Sequence, residues 1–310
     1  MNKLISSVSP HFSSKRTTQN IMLDVIIALM PAAVASVLIF GWRSLLVIAV
    51  CVASCVLSEF LFEKLCKREN TAMDLSAVVT GLLLAFNLPV SIPIWQAIFG
   101  SVVAIIVVKQ LFGGIGQNFA NPAITARIIM LTAFSGTMTS WVIPKSIDEA
   151  DVISSATPLA AVKKGEALPS YLSLFLGTHG GSLGETCALA LLLGGLYLLV
   201  RRVISWHTPV AFIATVALMS LICGKDVLFQ LLSGGLLIGA FFMATDYSTT
   251  PSTKWGKIIF GIGCGLITIL IRFWGNLPEG VSFSILLMNL LTPYISKLTR
   301  NKPLTGGAKK

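Results

Sequence analysis

Residues 22–41 read MLDVIIALMPAAVASVLIFG, and after Trp42-Arg43 residues 44–63 read SLLVIAVCVASCVLSEFLFE. Each run matches the roughly 20 mostly apolar residues that carry a helix across a bilayer. Applied to the rest of the chain, the same reading marks further spans at 73–89, 93–112, 122–142, 183–200, 208–223, 226–245, 256–274 and 281–297. The fold class predicted is an all-α polytopic membrane protein with about ten transmembrane helices. The composition agrees. Of 310 residues, 55% are hydrophobic and 12% charged, with a mean hydropathy of +0.84. Soluble domains carry about 25% charged residues, so this chain has too little polar surface to cover a globule in water.

The net charge of +10 follows from topology rather than from nucleic-acid binding, because the basic residues sit at the ends of apolar runs. With the N-terminus inside, 17 Lys and Arg fall on the inner side, including Lys64, Lys67, Lys109, Arg127, Arg201 and Lys257. Six fall outside: Arg43, Lys145, Lys163, Lys164, Lys225 and Arg272. The bias holds through both parts of the chain, so an even number of spans with cytoplasmic N and C termini is expected. The domain reading is a cytoplasmic N-terminal segment (1–20), a first five-helix unit (21–142), an extracytoplasmic loop (143–182), a second five-helix unit (183–297) and a cytoplasmic tail (298–310). No cleavable signal peptide is expected, since the first 20 residues are polar.

Two stretches echo each other. Phe99-Gly100 is followed by Phe112-Gly113, and Phe260-Gly261 is followed at the same spacing by Phe273-Trp274. An odd number of spans per unit makes two copies face opposite ways, so two five-helix inverted repeats are expected, with binding sites at broken helices. The candidates for such breaks are FGGIGQNFANPAITAR (112–127) and WGNLPEGVSF (274–283). Glycine lets backbone approach a ligand, and asparagine amides donate and accept without charge. The plain alternative is a re-entrant turn held for packing.

Other chemistry-bearing residues are sparse. The six cysteines form no CxxC pair. Cys51 and Cys55 share a helix face, which suits two metal ligands and equally suits small packing residues, and no metal site is expected. His11, His179 and His207 are scattered. Asp24, Glu59, Asp74, Asp246 and Glu279 lie at or near span ends, where capping explains them as readily as ion binding. Asp246 is the best ion-path candidate because Thr245, Ser248, Thr249 and Thr250 flank it. Within the long outer loop, Tyr171-Leu-Ser-Leu-Phe-Leu176 suits a short interfacial helix.

The same loop contains Asp151-Val-Ile-Ser154-Ser155-Ala156-Thr157. This resembles the flavinylation motif Asp-Gly-x-Ser/Thr-Gly/Ser-Ala-Thr of the family that holds the D subunit of the Rnf complex and the B subunit of the sodium-pumping NADH:quinone oxidoreductase. Val152 departs from the usual glycine. Three further segments are similar to that family in order: Asp74-Leu-Ser-Ala-Val-Val-Thr-Gly with Leu88-Pro89; Phe112-Gly-Gly-Ile-Gly-Gln-Asn118-Phe-Ala-Asn121-Pro-Ala; and Ala244-Thr-Asp246-Tyr-Ser-Thr-Thr-Pro251 with the segment from Pro278 to Asn289. Ala120 stands in the usual phenylalanine place. The resemblance spans nearly the whole chain, and the short N-terminus favours the Rnf subunit.

The resemblance implies a flavin-bearing electron-transfer subunit of an ion-translocating ferredoxin:NAD oxidoreductase, in a bacterial cytoplasmic membrane, pumping Na⁺ or H⁺. It implies FMN joined by a phosphoester to Thr157, with Asp151, Ser154, Ser155 and Ala156 completing the motif, and riboflavin at Asn118 and Asn121. The implied partners are a flavin transferase, other membrane subunits, an extracytoplasmic flavin-bearing subunit, peripheral iron–sulfur and NADH-binding subunits, and membrane lipid. A modified threonine is expected to be exposed and flexible. The alternatives are the quinone-reductase B subunit and a stand-alone inverted-repeat transporter or channel, which would need no flavinylation loop.

Overall fold

The computed structural model describes residues 17–68, 71–142, 144, 154–155, 157–164 and 169–300. The chain starts as α1 (Thr18–Phe40), whose first turn is capped by the Thr17 hydroxyl accepting from Asn20 N at 3.3 Å. It turns at Gly41 into α2 (Trp42–Leu65). A short α3 (Ser76–Phe86) follows, then α4 (Ile94–Val102), which widens into a π-helical stretch over Val103–Gln110. The helix α5 (Pro122–Ala133) is opened by Asn121, whose side chain accepts from Ala123 N and Ile124 N, with Pro122 supplying a fixed φ at the first position. Next come α6 (Ser135–Met138) and an antiparallel pair of two-residue strands, β1 (Trp141–Val142) and β2 (Ser154–Ser155). Two short helices, α7 (Pro158–Lys164) and α8 (Tyr171–Leu176), precede α9 (Ala188–Val200) and α10 (His207–Ile222). The chain then makes α11 (Val227–Leu232), α12 (Leu236–Ile238) with a π-helical turn over Gly239–Met243, α13 (Lys254–Trp274) and α14 (Val281–Leu298).

Four helices, α1, α2, α13 and α14, are long and apolar enough to cross a membrane. Their outward faces carry large apolar side chains such as Leu38, Trp42, Ile259 and Leu291. A surface of that kind needs lipid to cover it, and the chain is a multi-pass membrane protein. The other apolar helices have 9–16 residues in regular α form, shorter than a full crossing.

The expected spans 122–142, 183–200 and 226–245 are interrupted. In 122–142 the helix stops at Ala133: Phe134 leaves helical backbone (φ −129°, ψ 46°), and the hydroxyls of Thr137, Thr139 and Ser140 bond to nearby carbonyls. In 183–200 the helix starts only at Ala188. Leu183 N and Gly184 N instead donate to Leu88 O and Phe86 O at 3.1 and 2.9 Å. They thereby satisfy carbonyls that the end of α3 leaves free. In 226–245 the backbone opens at Ser233, which is extended, with its hydroxyl folded back on Phe229 O. The breaks expected within 112–127 and 274–283 are present as non-helical backbone ahead of α5 and α14. The short interfacial helix expected at Tyr171 is α8 by position.

Packing brings α2 against α3 and α4, α10 against α11 and α13, α5 against the end of α4, and α14 against α13. Across the two parts of the chain, α1 meets α9 and α5 meets α14. Gly81 sits directly on the α2 backbone at Val52, and Gly261 on the α10 backbone at Thr208, so neither position has space for a side chain. Cys51 and Cys55 are buried in α2, with Cys55 Sγ 4.0 Å from Ser101 O. Among the described residues no group of three or more His, Cys, Asp or Glu is arranged to hold a metal. One assumption of the charge reading is corrected. Lys109, Arg127 and Arg272 are not at water-facing ends but inside the protein, at 2%, 8% and 3% exposure. Without them the expected split of 17 against 6 rests on 15 and 5 residues.

Candidate functional site

Cavities lie at both ends of the helices, and two of them take in residues picked out from the sequence. The larger, about 420 Å³, is bounded by the start of α1, the end of α9, the segment between the π stretch and α5, and residues 241–248. Its volume falls within the roughly 300–1,000 Å³ of small-molecule sites. Asn118 and Asn121 line it together, as does Asp246. Asn121 reaches Met243 O with its Nδ2 at 3.5 Å. The Asn289 amide, oriented to satisfy both neighbours, accepts from Asn121 N at 3.1 Å and donates to Thr249 O at 3.2 Å. Asn118 Oδ1 is buried with no hydrogen-bond partner. Buried acceptors are nearly always satisfied, so this one suits a donor on a bound molecule. The Asp246 carboxylate accepts from the Ser248 and Thr249 hydroxyls at 3.1 and 3.2 Å. Those hydroxyls thus serve the turn itself.

The wall behind this cavity holds a charge cluster that sequence reading treated only as isolated residues. Lys109 Nζ lies 2.6 Å from Glu59 Oε1 and 2.7 Å from Ser76 Oγ. Gln110 Nε2 donates to Glu59 and to Glu63, and Thr71 donates to Glu63 through both N–H and hydroxyl. The π-helical stretch explains the geometry, because its wider turn brings Lys109 and Gln110, adjacent in sequence, onto the same side facing α2.

The smaller cavity, about 70 Å³, is lined by Thr157, Trp141, Arg127, Glu185, Glu279 and Ser282 among others. Arg127 projects from the middle of α5. It pairs with Glu279 at 2.5 Å and donates to Asn87 Oδ1 and Ser282 Oγ, both at 2.9 Å. Glu279 also accepts from Gly235 N at 2.8 Å. One guanidinium therefore ties together α3, α5 and the two breaks ahead of α12 and α14. Glu185 accepts from Ser182 at 2.8 Å.

Thr157 departs from expectation. It is 7% exposed, and its hydroxyl oxygen accepts from Ala160 N at 3.3 Å, so it caps α7. The cause lies in the residues of α7 itself. Leu159 is buried against Leu174 and Phe229, and Lys163 Nζ donates to Gly275 O and Leu277 O at 2.7 Å each. Partial burial draws the Lys163 amine below the usual lysine range. These contacts fasten α7 to the end of α13. Of the rest of the motif, Asp151 and Ala156 lie outside the described residues, and Ser154 and Ser155 are described only as the backbone of β2.

The Arg127 network escaped the sequence because its partners lie 40 to 155 residues away. The only signal available was a lone arginine in the apolar run of α5.

The family model described as "NQR2, RnfD, RnfE family" matches residues 5–305. The chain is 49% identical to the D subunit of the Na(+)-translocating ferredoxin:NAD(+) oxidoreductase complex of Acetobacterium woodii, covering 97% of this chain and 95% of the relative. It is 42% identical to the D subunit of the proton-translocating ferredoxin:NAD(+) oxidoreductase complex of Clostridium ljungdahlii, covering 95% and 94%. It is 38% identical to the D subunit of the ion-translocating oxidoreductase complex of Stutzerimonas stutzeri, covering 92% of each. A match over almost every residue, with relatives covered over more than nine-tenths of their length, means that this chain belongs to the NQR2, RnfD, RnfE family.

Proposed function

We propose that this chain is the D subunit of an Rnf-type complex, carrying electrons through the membrane between reduced ferredoxin and NAD and coupling that flow to ion translocation. The observation that carries the reading is identity of 49% along 97% of the chain with a relative of that name. Relatives are named for Na⁺ and for protons; transport into vesicles with and without Na⁺ distinguishes the two for this chain. The other partners in the proposal are the remaining membrane subunits, an extracytoplasmic flavin-bearing subunit and the iron–sulfur and NADH-binding subunits, in a bacterial cytoplasmic membrane.

The proposal includes about ten crossings in two inverted five-helix repeats. Matching neighbours support it. The α2 helix packs on α3 and α4 as α10 packs on α11 and α13, α5 packs on the end of α4 as α14 packs on α13, and the counterparts α1 with α9 and α5 with α14 meet each other. The Gly81 and Gly261 contacts add close approaches on α2 and on its counterpart α10.

Two flavins belong to the proposal, one at each cavity. Riboflavin at the larger cavity is supported by its volume and by the unsatisfied Asn118 Oδ1. FMN on Thr157 is supported by the threonine's place on a cavity that also holds Arg127. That cavity exceeds the roughly 10–15 Å³ one water needs but is far below a whole small-molecule site. It fits a phosphoryl group and not a ring system. Attachment by transfer from a flavin pyrophosphate forms the Thr157 Oγ–phosphorus bond, breaks the pyrophosphate P–O bond, releases the other half as a nucleoside monophosphate and gives up the hydroxyl proton. Flavins supply one-electron chemistry, while the protein binds and tunes them. Because Thr157 is buried by α7, modification requires α7 to detach or to fold afterwards.

Peptide mass spectrometry of protein co-expressed with a flavin transferase tests this. One FMN minus water is expected on the Thr157 peptide and lost in Thr157→Ala. No adduct on any peptide would sink the FMN assignment and leave the subunit reading, which rests on the identity to the named relative.

A further inference from the structure

Three basic residues are buried among those described: Lys109, Arg127 and Arg272. Lys109 and Arg127 each hold a carboxylate, Glu59 and Glu279. Arg272, on α13, does not. Its Nη1 donates to Gln230 O at 2.7 Å and Gln230 Oε1 at 3.1 Å, and its Nη2 to Ser233 O at 3.1 Å. All three acceptors are neutral, and the Nε–H has no acceptor at all. Glu279 and Glu185 reach it only at longer range, and Glu279 is already committed to Arg127 and Gly235 N. A buried guanidinium with no carboxylate at hydrogen-bond distance is costly, and an unmade N–H bond adds to that cost.

The position of this charge is informative. Gly234 has φ +72°, and a Cβ there would stand 2.7 Å from Leu159 Cδ1 and 2.8 Å from Arg272 Nη2. The guanidinium and Leu159 therefore meet across a residue with no side chain. Leu159 shares the small cavity with Thr157, two residues before it. Lys163 fastens the other end of the same helix to Gly275 and Leu277, just past Arg272. Thus α7 lies on the end of α13 with the uncompensated guanidinium beneath it.

We propose that Arg272 is the counter-charge for a phosphodiester carried on Thr157. This rests on the reading that Thr157 is flavinylated. Joining a phosphate to threonine leaves one negative charge, and a guanidinium offers that group charge-assisted N–H bonds. Modification thereby supplies the anion that the fold leaves out, and α7 packs most firmly once Thr157 is loaded.

The experiment compares thermal unfolding of wild type, Arg272→Gln and Arg272→Lys, each full length and purified with its complex, with and without flavin transferase. Midpoints are read on the flavin-bearing fraction, and occupancy by mass spectrometry. Loading is expected to raise the wild-type midpoint. That gain disappears in Arg272→Gln, whose unloaded form is at least as stable as unloaded wild type. Arg272→Lys keeps the charge without the fork, folds under the same cover and retains a smaller gain. An adduct with an equal gain in all three proteins overturns the role of Arg272 and leaves flavinylation standing. If Arg272→Gln fails to fold, an equal gain in Arg272→Lys and wild type is the overturning result. No adduct on wild type removes both readings.

Discussion

The two buried ion pairs differ in what they join. Lys109–Glu59 is internal to the N-terminal part of the chain, with every partner drawn from α2, α3, the π-helical end of α4 and the short segment before α3. Its two side chains are 2% and 0% exposed. Arg127–Glu279 spans 152 residues and links the N-terminal and C-terminal parts, at 9% and 16% exposure. The first is a sealed local knot behind the larger cavity. The second is a joint between the two parts, partly open to the smaller cavity. A charge in an apolar protein needs a partner, and where that partner comes from decides whether the pair stabilises one unit or the contact between two.

The largest effect is expected where burial is complete. Lys109→Met leaves Glu59 charged and unpaired, and should cost about 3–5 kcal/mol. Adding Glu59→Leu should recover most of it, because an apolar pair of similar volume replaces a costly ionic one. Denaturation of the purified single and double variants reads this directly, and a double variant no better than the single would refute the sealed-knot account.

Arg127→Met should cost less, about 2–3 kcal/mol, since Glu279 keeps the Gly235 N–H and some exposure. Its signature is different. Limited proteolysis of the loops joining the parts should accelerate, whereas Lys109→Met should leave those loops protected. Equal protection in both variants would break the distinction. The smallest effect belongs to Arg201–Asp24, an ion pair at 3.1 Å whose arginine is 55% exposed. Arg201→Ala should leave the unfolding midpoint essentially unchanged, since an exposed ion pair is screened by solvent, and a clear loss in the same assay would mean that the α1–α9 contact depends on it.

The helices were readable because transfer of apolar residues into lipid accumulates along a run without reference to the rest of the fold. The breaks at 112–121 and 275–280 were readable for the complementary reason, since glycine, asparagine and proline interrupt a helix locally. The interruption at Ser233 has a local signal too, the pair Gly234-Gly235 with Gly234 at φ +72°, but nothing local marks the Arg272 guanidinium that takes the Ser233 carbonyl from another helix. Asn118 and Asn121 were picked out together, and they do line one cavity. Thr157 was expected on an open loop. Its burial follows from Leu159 and Lys163 finding partners on α8, α11 and the end of α13, and no local feature of the loop announces them.

Membrane residence, the positions of the apolar runs and the short segments that depart from helix could all be read from local stretches of the sequence. Each of these is a sum of local terms. That Lys109 answers Glu59, that Arg127 joins α5 to the start of α14, that Arg272 has no carboxylate at hydrogen-bond distance and that Thr157 is buried was settled by packing between distant segments. Those outcomes depend on which distant groups are brought within a few ångströms in a medium where an unpaired charge is costly, and no local term contains that distance.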